Sequence, residues 1–193
     1  MDKDSPFQLK LAARSTLIGA FFGAGWMYWA AFSFSGSARF LWLVAVTLPA
    51  VGLSVWAGSC VRRTRRLISA PDDIQRWKTV RKFYWLDVLL EWGLVAFAAA
   101  FLGTHGRYDL IPATCGVIVG LHYLPLASIF RVSRYYWIGG ILVIGSLVSL
   151  LIPPAHLRYV AGCSLNGLTL WIGALTLLAR ISPIVRKPSA LTE

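Results

Sequence analysis

Six long apolar runs alternate with short polar connections along this chain. They cover residues 11–34, 40–60, 83–102, 111–130, 135–152 and 159–179. Each run falls within the roughly 17–25 residues that an α-helix uses to cross a bilayer. The pattern predicts an all-α, polytopic membrane protein with six transmembrane helices, folded as one domain over residues 1–193.

The longest polar connection, residues 62–82, opens with four arginines. Within it, Pro71 and the two aspartates that follow have the composition of a helix start. Apolar residues then recur at helical spacing. We expect an amphipathic segment over 71–83 that lies at the cytoplasmic interface, contacts anionic lipids through the basic loop and runs into the third span.

Lysine and arginine are divided unevenly between the two sides of this arrangement. With the N-terminus inside, the inner segments hold 16 of the 19 basic residues, and the outer loops hold only Arg39, Arg107 and Arg158. Basic residues of short loops concentrate on the cytoplasmic side of a membrane. We therefore expect both termini in the cytoplasm.

The composition argues against two broad classes of protein. The chain is 57% hydrophobic and only 14% charged, whereas a soluble domain carries about 25% charged residues. The net charge of +11 would by itself suggest nucleic acid, but the basic residues cluster at the ends of apolar runs. We expect a lipid bilayer as the partner and no nucleic acid.

The three cysteines are scattered and form no Cys-x-x-Cys pair, which is typical of ordinary packing. A disulfide between Cys115 and Cys163 is the less favoured alternative. His105 and His156 fall in outer loops, so no three-ligand metal cluster is predicted. The sequence does not identify a cofactor.

Gly19 and Gly23 form a small-residue face in the first span, of the kind that lets a neighbouring helix approach closely. Packing within the chain is the favoured interpretation. A homo-oligomer or a partner protein on this face is the alternative.

A weak internal repeat relates the two halves of the chain. Shifting it by 95 residues aligns Gly25 with Gly120 and Tyr28 with Tyr123, among six such matches. Because each half has three spans, the halves would be inverted, as in many transporters. Chance matching in so biased a composition is the alternative to a 3+3 inverted repeat.

Two acidic residues inside the third apolar run are the strongest functional signal. Asp87 and Glu91 are four residues apart, so on a helix they share one face. An ionisable side chain at such depth costs about 2.5–3.5 kcal/mol and normally has a partner. Glu91 lies eight residues after Phe83, and His122 lies eight before Phe130, each about 12 Å from the cytoplasmic boundary.

These positions predict a ligand or proton site between the third and fourth spans. Burial and mutual pairing act in opposite directions on the pKa values of such a pair, so titration near neutrality is expected. The candidate site residues are Glu91, His122, Asp87, Tyr123 and Asn166.

The simpler alternative is a structural Glu-His pair that holds two helices together. Asp87 would then reach Arg131 or Lys82 at the interface.

The leading functional hypothesis is a small transporter or ligand-binding membrane protein. Three alternatives stay open: an integral membrane enzyme acting on a lipid, the substrate-binding subunit of an energy-coupling-factor transporter, and a structural or accessory protein. No nucleophile elbow, zinc-protease or P-loop pattern occurs, so catalysis is less favoured.

The string Gly-Leu-His-Tyr-Leu-Pro-Leu-Ala at residues 120–127, with Glu91 in the preceding span, resembles a largely uncharacterised group of small bacterial six-span membrane proteins. The resemblance implies a bacterial inner-membrane location. It also supports Glu91 and His122 as the positions to test, and it implies no substrate.

A titrating pair would make the stability of the protein depend on pH. Thermal unfolding and Trp fluorescence, measured between about pH 5 and 9, should show a transition in the wild type that Glu91→Gln and His122→Ala both remove. A flat wild-type profile, with variants that only unfold earlier, would mean that the pair is structural.

Overall fold

The computed structural model describes residues 5–130 and 132–186. The chain termini and Arg131, which the sequence offered as a partner for Asp87, lie outside these residues. The described residues form six α-helices and two short 3-10 turns. The helices are α1 (Pro6–Ala30), α2 (Gly36–Thr64), α3 (Pro71–Thr104), α4 (Ile111–Phe130), α5 (Arg134–Ser149) and α6 (Ala155–Arg186). The predicted all-α class is confirmed.

Local sequence explains where two of these helices begin. Ser5 caps α1 by accepting a hydrogen bond from the Gln8 backbone N–H, and Pro6 occupies the first turn. Pro71 likewise opens α3, with Asp72 and Asp73 at the positive end of the helix dipole. The predicted amphipathic segment is the first part of this single 34-residue helix.

Four helical stretches are long and apolar enough to cross a membrane: Gly36–Thr64, Val80–Thr104, Tyr108–Phe130 and Ala155–Val185. The sequence predicts six such spans. Helices α1 and α5 are not among the four, and α5 has only 16 residues, or about 24 Å. The described chain is therefore a helical bundle with several membrane-length helices.

Helix α6 lies at the centre of the bundle. It packs against α1, α2, α4 and α5, while α3 packs mainly against α4. In the most hydrophobic part of α3, no residue is buried, and large side chains such as Leu89 and Phe97 are about 70% exposed. An exposed apolar surface of this kind is typical of contact with lipid or with another protein.

Small residues bring α1 and α6 together. Gly23 faces Gly167 and the ring of Trp171, whose indole N–H donates to the Ala20 carbonyl at 3.0 Å. Gly19 lies against Ala174 in the same way. The small-residue face of α1 is thus covered by α6 of the same chain.

The two halves show partly matching packing. Helix pairs α1–α2 and α4–α5, which the 95-residue shift equates, both pack closely. The matched residues nevertheless differ in environment, because Gly25 borders open space and Gly120 is pressed against Gly139 of α5. Helix α6 is central whereas its counterpart α3 is peripheral, so the inverted repeat stays a prediction.

The close α1–α6 contact can be tested with a pair of glycines two residues apart. In Gly23→Ala the new Cβ would collide with Trp171 and lie 2.9 Å from the Gly167 carbonyl oxygen. We therefore expect the free energy of unfolding to fall by about 1–3 kcal/mol. Gly25→Ala meets nothing within 4 Å and should be neutral or stabilising. Equal melting temperatures for the two variants would contradict this packing.

Candidate functional site

One histidine lies between Asp87 and Glu91 of α3. Nδ1 of His122 is 3.0 Å from Oδ2 of Asp87, and its Nε2 is 3.3 Å from Oε2 of Glu91. Asp87 and Glu91 are one helical turn apart, so a single imidazole on the facing helix reaches both. We call Asp87, His122 and Glu91 the triad.

The contact between His122 and Asp87 is close but poorly aligned. Neither Nδ1 of His122 nor Oδ2 of Asp87 makes a hydrogen bond within the part of the chain that the structure describes, although both atoms are buried. Buried polar atoms without hydrogen bonds are uncommon in folded proteins and often belong to functional sites. A small rotation of either side chain would complete this bond.

Proton counting limits what the triad can do. Two hydrogen bonds to one imidazole need two shared protons, because neutral imidazole has only one N–H. The pair of bonds is made either by imidazolium between two carboxylates, or by neutral imidazole with one protonated carboxyl group. Both forms carry a net charge of −1, so a proton can move between the carboxylates through the ring without changing that charge.

The triad is largely shielded from solvent. The side chains of His122, Asp87 and Glu91 are 10%, 16% and 17% exposed. Among the side chains that the structure describes, no lysine or arginine nitrogen lies within 4 Å of either carboxylate. Lys82, the described candidate partner of Asp87, is exposed and does not pair with it.

Glu91 and His122 form part of the wall of a cavity of about 680 Å³. Its walls come from α1, α3, α4, the start of α5 and the middle of α6. Eleven of its 30 lining residues are Phe, Trp or Tyr, a share nearly three times the 13% of the whole chain. The cavity is therefore apolar and aromatic, with a few polar groups.

Side chains alone close the cavity between α1 and α3, whose backbones barely approach each other. The rings of Phe7 and Trp77 meet at 6.4 Å near the start of both helices. Phe22 and Trp92 meet at 5.8 Å further along. Rotation of these rings would open the cavity sideways.

The end of the cavity near the N-terminus of α1 is more polar. Ser15 and Tyr135 share a hydrogen bond of 2.7 Å, and the Tyr135 ring packs 5.6 Å from that of Tyr123. Lys10 and Arg14 line the same end, where Lys10 donates to Ser69 at 3.1 Å. Tyr123, a candidate from the sequence, thus lies in the cavity wall.

Asn166 lies elsewhere. Its amide donates to the Pro112 carbonyl at 2.9 Å and accepts from Ser146 at 3.0 Å, which ties together α4, α5 and α6. It faces Gly116, six residues before His122, or about 9 Å along the helix axis. Asn166 does not line the cavity, and its hydrogen bonds give it a structural role.

Sequence reasoning missed the contribution of α1 to the site. Ser15, Phe22 and Trp26 all line the cavity, yet α1 is separated from α3 and α4 by long stretches of chain. No short connection signals that proximity. The aromatic enrichment of the chain was the available signal, but it does not specify which rings converge.

In the described residues, no three His, Cys, Asp or Glu side chains are grouped so that they could hold a metal ion. The three cysteines are buried free thiols.

Comparison of the chain with protein-family profiles, with curated sequences and with solved structures finds no match.

The structural role of Asn166 predicts that its loss affects stability alone. Asn166→Leu removes both interhelical hydrogen bonds, which in membrane proteins are worth about 0.6–2 kcal/mol each. We expect a lower melting temperature with the pH-dependent fluorescence transition retained. Loss of that transition at unchanged stability would place Asn166 in the functional site instead.

Proposed function

We propose that this chain is a small integral membrane protein that binds and transports a lipophilic small molecule in the cavity between α1, α3 and α4. Glu91, His122 and Asp87 form its ligand and proton site, and Tyr123 is part of its wall. The observation that carries the proposal is the exposure of Glu91 and His122 to an aromatic cavity of about 680 Å³.

The size and lining of the cavity support ligand binding. Small-molecule sites enclose about 300–1,000 Å³, have mostly apolar and aromatic walls and contain a few polar groups that orient the ligand. Placing charged groups in an apolar bundle also costs several kcal/mol. A purely structural contact between α3 and α4 could use apolar residues without that cost.

Six spans are the proposed membrane topology, with both termini cytoplasmic in a bacterial inner membrane. Helices α1 and α5 pack along membrane-length neighbours, α1 against α2 and α6, and α5 against α4 and α6. The excess of basic residues on one side supports the orientation. The exposed arginines of the 62–82 loop would contact anionic lipid headgroups.

The α1–α3 side of the cavity is the proposed entry for the ligand. A lipophilic molecule concentrates in the bilayer, and two aromatic ring pairs meet across this side. Proton uptake or release by the triad would change the charge of the wall and thereby the affinity for the ligand. Such a difference in affinity between states is what a transport cycle requires.

Filling the cavity should abolish binding without unfolding the protein. Gly25 lines the cavity and an added Cβ there meets nothing within 4 Å, so Gly25→Phe should place a ring in the ligand space. Gly93 is an equally open glycine on α3 outside the cavity lining, so Gly93→Phe is the matched control.

The measurement is the ligand-induced rise in melting temperature over a panel of lipophilic cations, anions and neutral compounds. We expect at least one compound to stabilise the wild type and Gly93→Phe, but not Gly25→Phe. If every compound that stabilises the wild type also stabilises Gly25→Phe, the cavity is not the ligand site.

A further inference from the structure

We infer that the ligand of this cavity is a lipophilic monocation, bound in exchange for one proton of the triad. This inference rests on the proposed ligand-binding function and specifies its substrate class. It is carried by the charge of the triad, the absence of a basic partner beside it and the aromatic walls of the cavity.

Within the described residues, no lysine or arginine pairs with the triad. Once a small rotation completes the bond to Asp87, both ring nitrogens of His122 share a proton with a carboxylate, and the triad carries a net charge of −1. No described lysine or arginine nitrogen lies within 4 Å of Asp87 or Glu91. A net charge in an apolar bundle is costly unless a counter-charge joins it, so the triad favours either a further proton or a cation.

The basic residues of the cavity are too distant to supply that counter-charge. Arg14 precedes Phe22 by eight residues on α1, or about 12 Å along the helix axis. The Phe22 ring packs against Trp92, the neighbour of Glu91 in sequence. Glu91 is therefore about two helical turns deeper than Arg14, and Lys10 is further away still.

The walls around the triad suit an organic cation. Rings of Phe, Trp and Tyr make up more than a third of the lining residues, and the faces of such rings attract cations, above all in desolvated sites. Their apolar area also binds the body of a lipophilic ion. Inorganic cations such as Ca²⁺ and Mg²⁺ are usually held by several oxygen ligands that include carboxylates, and Glu91 is the one carboxylate among the described lining residues.

Titratable groups from the other elements do not duplicate the triad. Tyr84 of α3, Tyr123 of α4 and Tyr135 of α5 line the cavity as phenols, and α1 contributes only Lys10 and Arg14. The lining residues of α6 are Leu170, Gly173, Ala174 and Leu177, none of which titrates.

Exchange then balances charge. A neutral triad holds three protons, with imidazolium, one carboxylate and one protonated carboxyl group. Release of one proton leaves the net charge of −1, and the incoming monocation restores neutrality. Proton and cation therefore compete for one site, and each weakens the binding of the other by the same factor.

Two ions of matched size test this inference. Tetraphenylphosphonium and tetraphenylborate have the same shape and opposite charge, and triphenylphosphine oxide is a neutral relative. Five of the nine tryptophans line the cavity, so quenching of Trp fluorescence reports binding. The Gly25→Phe protein in the same detergent corrects for partition of the compounds into micelles.

We expect tetraphenylphosphonium to bind the wild type at least about tenfold more tightly than tetraphenylborate. At pH values low enough to keep the triad neutral, the Kd of the cation should increase by up to about tenfold for each unit by which the pH falls. In weakly buffered solution, one proton should be released for each cation bound. Glu91→Gln should weaken the cation at least about tenfold and abolish proton release. Asp72→Asn, a carboxylate-to-amide change at the exposed start of α3, should leave both the affinity for the cation and the release of the proton unchanged.

Four results would overturn the inference. Preference for tetraphenylborate would assign the ligand to the basic end of the cavity. Cation binding that neither weakens as the pH falls nor releases a proton at any pH between about 5 and 9 would exclude exchange, and this measurement needs no variant. Binding of the neutral compound alone, sensitive to Gly25→Phe, would retain the ligand cavity and reject the cation. If none of the three compounds binds in a Gly25-sensitive way, the inference and the proposed function both fail.

Discussion

A charged group in an apolar bundle needs a partner, and this constraint determines how α3 meets α4. Asp87 and Glu91 project from one face of α3, and His122 of α4 lies between them, with one ring nitrogen near each. Helix α3 has few other neighbours. The orientation of this 34-residue helix about its axis and its position along α4 therefore depend on one imidazole and two carboxylates. The aromatic cluster that joins Trp77 and Tyr84 to Phe130 also contributes.

The rest of the bundle is a more closely packed frame built around α6. Gly23 and Gly167 let the backbones of α1 and α6 come into contact. The indole N–H of Trp171 donates a hydrogen bond to α1 across that contact. Asn166 ties α6 to α4 and, through Ser146, to α5. These contacts combine small residues with buried hydrogen bonds, the usual means by which helices associate when apolar side chains gain nothing from leaving lipid.

The cavity results from the difference between these two parts. Because α3 is attached through α4 and hardly touches α1, a space remains between α1 and α3, and aromatic side chains fill its rim. Glu91 and His122 of the triad lie in the wall of that space. A weakly attached helix that carries the charged groups is an element whose position can respond to their protonation.

Local patterns in the sequence were sufficient for the helices and for part of the site. Hydrophobic run length predicted the all-α class, and the boundaries of α4 agree with the predicted 111–130. The short connection between α3 and α4 was enough to place His122 at the level of Glu91, because an antiparallel hairpin converts sequence separation into depth. The second contact of His122, with Asp87, was not predicted. The same reasoning cannot reach across distant segments. The packing of α1 on α6, the convergence of Ser15 with Tyr135 and the structural role of Asn166 were decided by tertiary structure. Their contacts join residues more than 100 positions apart or depend on helix rotation, and neither is encoded in any local period of the chain.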